Sequence, residues 1–91
     1  MDLYTKNGRP LQVDDDMVYS MSGRVVGRID GDRVYGANGR YVGTIDDDRL
    51  VYRSNESVFV SAPFNTANIV GRSIAHVPRS TIWGDEPNIP D

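Results

Sequence analysis

The sequence predicts a small all-β domain. We expect an antiparallel hairpin meander of about four repeated units in a pseudo-fourfold arrangement, followed by an irregular C-terminal tail. The first observation is a set of tyrosines at positions 4, 19, 35 and 52. The second is a glycine–arginine pair that recurs at positions 8–9, 23–24 and 39–40. A repeat of roughly sixteen residues has room for two short strands and their turns.

The predicted turns are of two kinds. Positions 7–8, 22–23 and 38–39 carry Asn-Gly, Ser-Gly and Asn-Gly, which are typical of two-residue primed turns because Asn and Gly tolerate positive φ angles. The turns between units are acidic, at positions 14–16, 30–32 and 46–48. The fourth unit opens at Val51 and Tyr52. Residues 69–72 match residues 25–28, which predicts the return strand of this unit after a longer loop.

The turn positions predict the register of the strands. The turn at residues 30–32 is expected to place Gly31 and Asp32 at its corner. The other choice sets Arg28 opposite Arg33, and like charges directly opposite each other are destabilising. The predicted pairs are Tyr19 with Val26, Tyr35 with Val42, Val18 with Gly27, Val34 with Gly43, Ile29 with Val34 and Asp30 with Arg33.

Side chains alternate between the two faces of a strand, and neither predicted face is plainly polar. The first face carries Leu3, Val13, Val18, Ile29, Val34 and Ile45. The second face carries Tyr4, Leu11, Tyr19, Val26, Tyr35, Val42 and Tyr52. A lone antiparallel sheet normally has one hydrated face. We therefore expect both faces to be covered, by closure around an axis, by the tail, or by a second chain.

The repeat loosens toward the C-terminus. We assign residues 1–76 to the β-repeat domain and residues 77–91 to an extended acidic tail that contains three prolines. Proline and asparagine within residues 62–68 predict a projecting loop or short turn there. The prolines and the acidic end of the tail disfavour regular structure in it.

Three features of the chain resemble the bacterial family called the four-fold beta flower. They are the Leu-Tyr…Asn-Gly-Arg-Pro-Leu run at residues 3–11, the Val-Tyr…Gly-Arg…Val-Gly-Arg-Ile-Asp units, and Gly-Asp-Glu-Pro-Asn-Ile-Pro-Asp at residues 84–91. The resemblance covers nearly the whole chain and implies a compact arrangement of four β units. It implies no activity and no site residues. The fourth unit departs from the pattern, because residues 55–57 replace the glycine-bearing turn.

Composition excludes several classes of protein. The chain has 91 residues, a hydrophobic fraction of 38% and a net charge of −3, so a monomer would have a thin core. Nucleic acids and anionic membranes are disfavoured as partners, because phosphate binding needs clustered cations. The lack of cysteine excludes disulfides and thiolate metal sites. Neither a signal peptide nor a long apolar stretch is evident, which predicts cytoplasmic residence.

The acidic turns raise the question of a metal site. Calcium takes about six to eight oxygen ligands, which turns gathered at one end of a meander could supply. Aspartate is also a favoured turn residue, because it tolerates left-handed φ angles and bonds its own backbone. No stretch has the spacing of a twelve-position calcium loop. We therefore predict structural aspartates, with no metal and no cofactor.

No set of catalytic residues is evident, so we predict that the chain is not an enzyme. Aspartates at hairpin corners are solvated, which disfavours the raised carboxyl pKa that acid–base hydrolysis needs. His76 is the only histidine, and no serine stands in a nucleophile-elbow motif beside it.

Two functional interpretations remain. The first is a non-enzymatic protein-interaction or self-assembly module. Its partner would be itself, most simply as a twofold dimer, or another protein, but not nucleic acid or a membrane. The alternative is a small protein that binds an anionic ligand. Its predicted site combines arginines that follow the turn glycines with a floor of tyrosine rings: Arg9, Arg24, Arg40, Tyr19 and Tyr35.

Thermal unfolding with and without calcium tests the interpretation of the acidic turns. If the aspartates are structural, melting temperatures in excess calcium and in excess chelator should agree closely, because only a ligand that binds the folded state raises its stability by mass action. A large calcium-dependent rise would instead identify these turns as a binding site.

Overall fold

The computed structural model describes residues 2–90, and its seven strands form one closed barrel. No helix in this part of the chain is long and apolar enough to cross a membrane. The strands are β1 (Leu3–Thr5), β2 (Pro10–Asp14), β3 (Met17–Tyr19), β4 (Val25–Asp30), β5 (Arg33–Tyr35), β6 (Tyr41–Asp46) and β7 (Arg49–Val51). A single 3-10 turn, η1 (Ser54–Glu56), follows them. The predicted all-β fold is confirmed.

Sequential strands pair antiparallel, and the barrel closes where β1 lies parallel to β7. Tyr4 and Thr5 of β1 stand opposite Arg49 and Leu50 of β7. Closure leaves no free edge within the barrel and encloses one side of every strand. The sequence left three ways to cover the faces of the meander: closure around an axis, the tail, or a second chain. The interior face is covered by closure around an axis.

The three glycine turns differ from the predicted primed turns. In the second unit Ser20 N–H donates to Arg24 (2.8 Å) and Gly23 N–H donates to Ser20 (3.0 Å), so the loop has three residues. Gly23 has a φ of +89°, whereas Ser22 is not among the residues with positive φ. This is a type I turn followed by a left-handed glycine bulge. The turns at Gly8 and Gly39 repeat the same hydrogen bonds.

The extra loop residue shifts the register between each of the second and third glycine turns and a β-bulge in the following strand, where Val26 and Val42 are left without a partner. Val18 pairs with Gly27 and Val34 with Gly43, as predicted. Beyond these pairs, Tyr19 lies opposite Val25 and Tyr35 lies opposite Tyr41, so the predicted Tyr19–Val26 and Tyr35–Val42 pairs are wrong. The sequence argument assumed two corner residues at the glycine turns, and one additional residue changes every pair on the turn side of the bulge.

The acidic turns follow the prediction. Ile29 pairs with Val34 and Asp30 pairs with Arg33, which leaves Gly31 and Asp32 at the corner. The first corner residue has a positive φ in each acidic turn: +56° at Asp15, +68° at Gly31 and +59° at Asp47. Aspartate therefore occupies the left-handed conformation in two of these turns, which is the structural role proposed for it.

The core lies inside the barrel. Its buried apolar cluster consists of Leu3, Leu11, Val18, Val26, Val34 and Leu50. Leu11 and Val26 were assigned to the opposite face, and that assignment is wrong. Leu11 pairs with Leu3 across the first hairpin, and the bulge turns Val26 toward the same cluster. Val13, Ile29 and Ile45 pack against the cluster while half-buried.

The chain after η1 encircles the rim of the barrel. We call residues 57–85 the collar. Backbone N–H groups of the collar donate to the glycine turns in reverse chain order: Ser61 to Gly39 (2.8 Å), Ile69 to Gly23 (2.8 Å) and Val77 to Gly8 (3.0 Å). The donors at 61, 69 and 77 have a regular eight-residue spacing. Residues 69–72 therefore belong to the collar, and the predicted return strand of a fourth hairpin is wrong.

The two ends of the collar are also attached. Phe64 N–H donates to Ala37, in the loop that Ser61 also contacts, so Phe64 lies against the barrel, while the other residues of 62–68, where a projecting loop or short turn was predicted, are exposed. At the far end, Tyr52 and Asp85 form an antiparallel bridge with two backbone hydrogen bonds of 2.8 Å.

The glycine turns offer a matched test of the collar contact. Gly31 and Gly39 both have positive φ, but a Cβ on Gly31 meets no atom within 4 Å, whereas a Cβ on Gly39 meets the carbonyl of Ser61. Gly31→Ala should therefore cost only the left-handed strain, about 1–2 kcal/mol. Gly39→Ala should cost about 1 kcal/mol more, because it also breaks the collar hydrogen bond. Urea unfolding measures both; equal costs would contradict the contact.

Candidate functional site

The arginines predicted to hold an anion occupy different environments. Arg9 is half-buried, its Nη2 donates to the carbonyl of Pro90 (3.2 Å), and its Nη1 lies 3.9 Å from the Glu86 carboxylate. Arg24 and Arg40 are exposed. Only Arg9 of these three lines a cleft of about 190 Å³, together with Pro10, Leu11, Ser20, Met21 and His76.

The predicted tyrosine floor is buried. Tyr19 is 8% exposed and Tyr35 is 6% exposed. Little of either ring is therefore open to a ligand in this conformation, and neither lines the cleft that includes Arg9. Binding of an anionic ligand by the five predicted residues stays a prediction.

Arginine–aromatic contacts link the barrel to the collar. The guanidinium of Arg33 lies 3.8 Å from the ring centroid of Phe59, that of Arg53 lies 4.0 Å from Trp83, and that of Arg28 lies 4.8 Å from Phe64. Such cation–π contacts favour arginine, whose planar group can stack on a ring. Sequence reasoning missed them because the collar aromatics do not follow the sixteen-residue repeat of the strands.

Glu56 anchors the start of the collar. Its Oε1 accepts hydrogen bonds from Arg33 Nε (2.9 Å) and from Thr44 Oγ1 (3.0 Å). The Thr44 hydroxyl also lies 2.6 Å from the hydroxyl of Tyr41, which extends the network into the barrel wall. The hydrogen bond with Glu56 raises the pKa of Arg33 above its ordinary value. An ionised pair at this position holds η1 against β5 and β6.

Immediately after η1, the chain forms a short apolar edge. We call residues 57–61, with the sequence Ser-Val-Phe-Val-Ser, the edge segment. Val60 forms an isolated antiparallel bridge with Arg40. Phe59 N–H donates to Glu56 (3.1 Å) and closes a turn over residues 57–58, whereas Ser61 N–H donates to Gly39 (2.8 Å) on the barrel. Within residues 2–90, the N–H groups of Val58 and Val60 donate no backbone hydrogen bond.

Exposed apolar side chains are concentrated on the collar. They are Val58 (77% exposed), Phe59 (42%), Val60 (72%), Val70 (85%), Ile74 (41%) and Trp83 (58%). All six belong to the collar, whereas the apolar residues of the strands are buried or half-buried. The surface outside the barrel therefore carries the apolar groups that a partner could cover.

A second cleft, of about 490 Å³, lies between β2 and the collar. Its lining combines apolar residues with an amide and charges of both signs: Gln12, Val13, Asp14, Ile69, Val70 and Arg72. None of the residues predicted to bind a ligand lines it. No sequence motif marks this cleft, because its two walls are separated by more than half the chain.

The acidic corners carry ordinary surface ion pairs. Arg53 Nη2 lies 2.7 Å from an oxygen of Asp46, and Arg49 Nε lies 3.3 Å from Asp48. In the part of the chain that the structure describes, no three histidine or carboxylate side chains come close enough together to hold a metal ion.

Comparison with known proteins identifies one family. The sequence profile of the family described as "4-fold beta flower protein" matches residues 1–84, which include all seven strands and nearly the whole collar. The resemblance found in the sequence motifs is therefore confirmed. No curated protein sequence matches the chain, and no solved structure matches it. The family description specifies an architecture without an activity.

Substitution of Glu56 tests the anchor of the collar. Glu56→Gln retains an oxygen for the Thr44 hydroxyl but removes the charge that pairs with Arg33, so we expect the free energy of unfolding to fall by about 1 kcal/mol. In an Arg33→Gln background the same substitution should cost much less, because the ion pair is already absent. Urea denaturation of the four proteins measures the coupling, and an equal cost in both backgrounds would contradict it.

Proposed function

Because the chain belongs to the 4-fold beta flower family, whose description specifies no activity, we propose its function from its own surface. We propose a non-enzymatic self-assembly module of the bacterial cytoplasm whose partner is a second copy of the chain. The edge segment of the collar is the contact. One observation carries this proposal: a short segment with two exposed valines, no backbone partner for their N–H groups within residues 2–90, and a palindromic sequence.

The free N–H groups of the edge segment support pairing with another strand. Val58 and Val60 are 77% and 72% exposed, and their N–H groups have no backbone partner within residues 2–90. Unpaired backbone groups on a β-branched segment are a template for strand addition. The Ser61 N–H bonds to Gly39 and holds the end of the segment on the barrel, whereas Ser57 and Val58 lie in a turn that extends on pairing.

The palindrome supports a second copy as the partner. Pairing extends the turn at residues 57–58; in the resulting antiparallel pair centred on Phe59, Val58 of one copy faces Val60 of the other, and each serine faces a serine. The same surface then serves both subunits, as a twofold interface requires. The N–H of Val58 can donate to the carbonyl of the second copy's Val60, and the reverse bond follows by symmetry.

The sequence suggested an oligomer because a sheet with two apolar faces needs a cover for both. The closed barrel already encloses one of these faces. The exposed large apolar groups of the described residues lie on the collar. Besides the valines of the edge segment and Phe59, they include Val70, Ile74 and Trp83, which could also serve a different protein partner.

The anionic-ligand alternative has one observation in its favour. Arg9 and His76 line the same cleft of about 190 Å³, so a cation and an imidazole are available to an anion there. Glu86 competes for this arginine, with its carboxylate 3.9 Å away. The self-assembly proposal is the stronger because its surface has no such competitor within the chain.

Sedimentation equilibrium at micromolar concentrations tests self-assembly. The unmodified protein should sediment as a dimer. The double variant Val58→Lys, Val60→Lys should weaken association at least about tenfold, because it places like charges opposite each other across the twofold axis. Lysines on an exposed edge are also the usual device against strand pairing.

A matched control separates this effect from a general change of charge. Thr66→Lys with Asn68→Lys adds the same charge to exposed collar positions outside the edge segment, and this variant should remain dimeric. Circular dichroism and thermal melting establish that both variants fold. A mass near 10.1 kDa for the unmodified protein at all concentrations would overturn the proposal.

A further inference from the structure

The chain from the end of η1 into the collar meets the return strands at equivalent positions, one every eight residues. Glu56 accepts a hydrogen bond from Thr44 of β6 (3.0 Å), and Phe64 lies beneath the guanidinium of Arg28 of β4 (4.8 Å). The next pair in this series is Arg72, eight residues after Phe64, and Gln12 of β2, sixteen residues before Arg28. The backbone follows the same correspondence, because Phe64 donates to Ala37 and Arg72 donates to Met21.

The third of these positions is open. A hydrogen bond joins the first pair and a ring contact fills the second, but between Gln12 and Arg72 there is a cleft of about 490 Å³. This volume falls within the range of about 300–1,000 Å³ that is usual for small-molecule sites. The collar backbone follows the same course past β2 as past β4. The cleft therefore results from the different side chains at this position, Gln12 and Arg72 in place of Arg28 and Phe64.

Gln12 provides a buried polar group in the cleft. Its side chain lines the cleft although the residue is only 8% exposed. Its Nε2 donates to the carbonyls of Ser20 (3.0 Å) and Val70 (3.3 Å), which fixes the amide between β3 and the collar. Its Oε1 receives no hydrogen bond from any donor in residues 2–90. The amide therefore offers an oriented acceptor to a ligand.

The remaining lining combines apolar side chains with opposite charges. Ile69 is half-buried and Val70 is 85% exposed, so a bound ring would cover a valine that now faces solvent. Val13 pairs with Val18 and packs against the buried cluster of the barrel. Arg72 stands where the neighbouring position has Phe64, and its guanidinium can stack on a ring. Asp14 adds a carboxylate at the acidic end of β2, which can pair with a positive group on such a ring.

We propose that this cleft binds a small aromatic amine. The ring lies against Ile69 and Val70, beneath Arg72, and takes the place that the Phe64 ring occupies beside Arg28. Its ammonium group pairs with Asp14, and an N–H donor on the ring bonds to Gln12 Oε1. This site is separate from the edge segment and does not depend on the self-assembly proposal.

Amide chemical shifts in a ¹H–¹⁵N spectrum test the site, with tryptamine as the probe. Tryptamine should shift the resonances of residues 12–14 and 69–72 in a saturable way. Indole-3-acetate, which has a carboxylate in place of the amine, should bind at least about tenfold more weakly, because it loses the pairing with Asp14. No saturable shift at millimolar tryptamine, or equal binding of the two compounds, would overturn the proposal.

Two variants locate the binding. The double variant Gln12→Arg, Arg72→Phe places the Arg28–Phe64 pair of residues at this position. The new ring should fill the cleft and abolish the chemical shift changes that tryptamine causes. Asp14→Asn, a change at an exposed position that keeps the fold, should weaken binding about tenfold and remains informative if the double variant does not fold. Asp30→Asn removes the same charge as Asp14→Asn from the equivalent exposed end of β4, outside the cleft, and it should bind tryptamine normally. Unchanged binding in Asp14→Asn would overturn the proposal.

Discussion

Backbone hydrogen bonds between the collar and the three glycine turns are the contact on which the rest of the structure depends. Each turn glycine has a left-handed φ and a collar carbonyl where its Cβ would be: Val77 at Gly8, Ile69 at Gly23 and Ser61 at Gly39. Glycine therefore meets two demands at one position, the conformation of the turn and the approach of a second backbone. The collar has no regular secondary structure of its own, so these bonds and its side-chain contacts determine its path.

The collar carries the exposed large apolar side chains of the described chain. Strand closure encloses the cluster around Val18 and Val34, whereas Arg33 of β5 and Arg53 after β7 stack on the collar aromatics Phe59 and Trp83. Arginine suits these positions because its planar guanidinium can stack on a ring. The aliphatic neighbours of these aromatics, Val58 and Val60, have no barrel side chain over them and remain exposed.

The units of this protein repeat so closely that a position where the side chains differ is easy to identify. The return strands meet the collar in the same way three times, and the side chains at the meeting point differ: Thr44 with Glu56, Arg28 with Phe64, and Gln12 with Arg72. A repeated backbone allows such changes because each position is held by turn and collar hydrogen bonds rather than by its own side chains. Both proposed sites lie on the collar, where the side chains vary most between units while the backbone stays in register.

The sequence by itself determined the all-β fold, the strands before residue 52, the acidic corners and the family, because hairpin strands and tight turns depend on neighbouring residues. It also placed positive φ at Gly8, Gly23 and Gly39, but it missed the third loop residue, so the tyrosine pairs and the face of Val26 were wrong. Only the tertiary structure decided the closure of β1 on β7 and the course of the collar. Those contacts join residues far apart in the chain, and an extended segment bound through its backbone leaves almost no pattern in its side chains. The cleft beside Gln12 and the exposed edge at Val58 exist only because of that course.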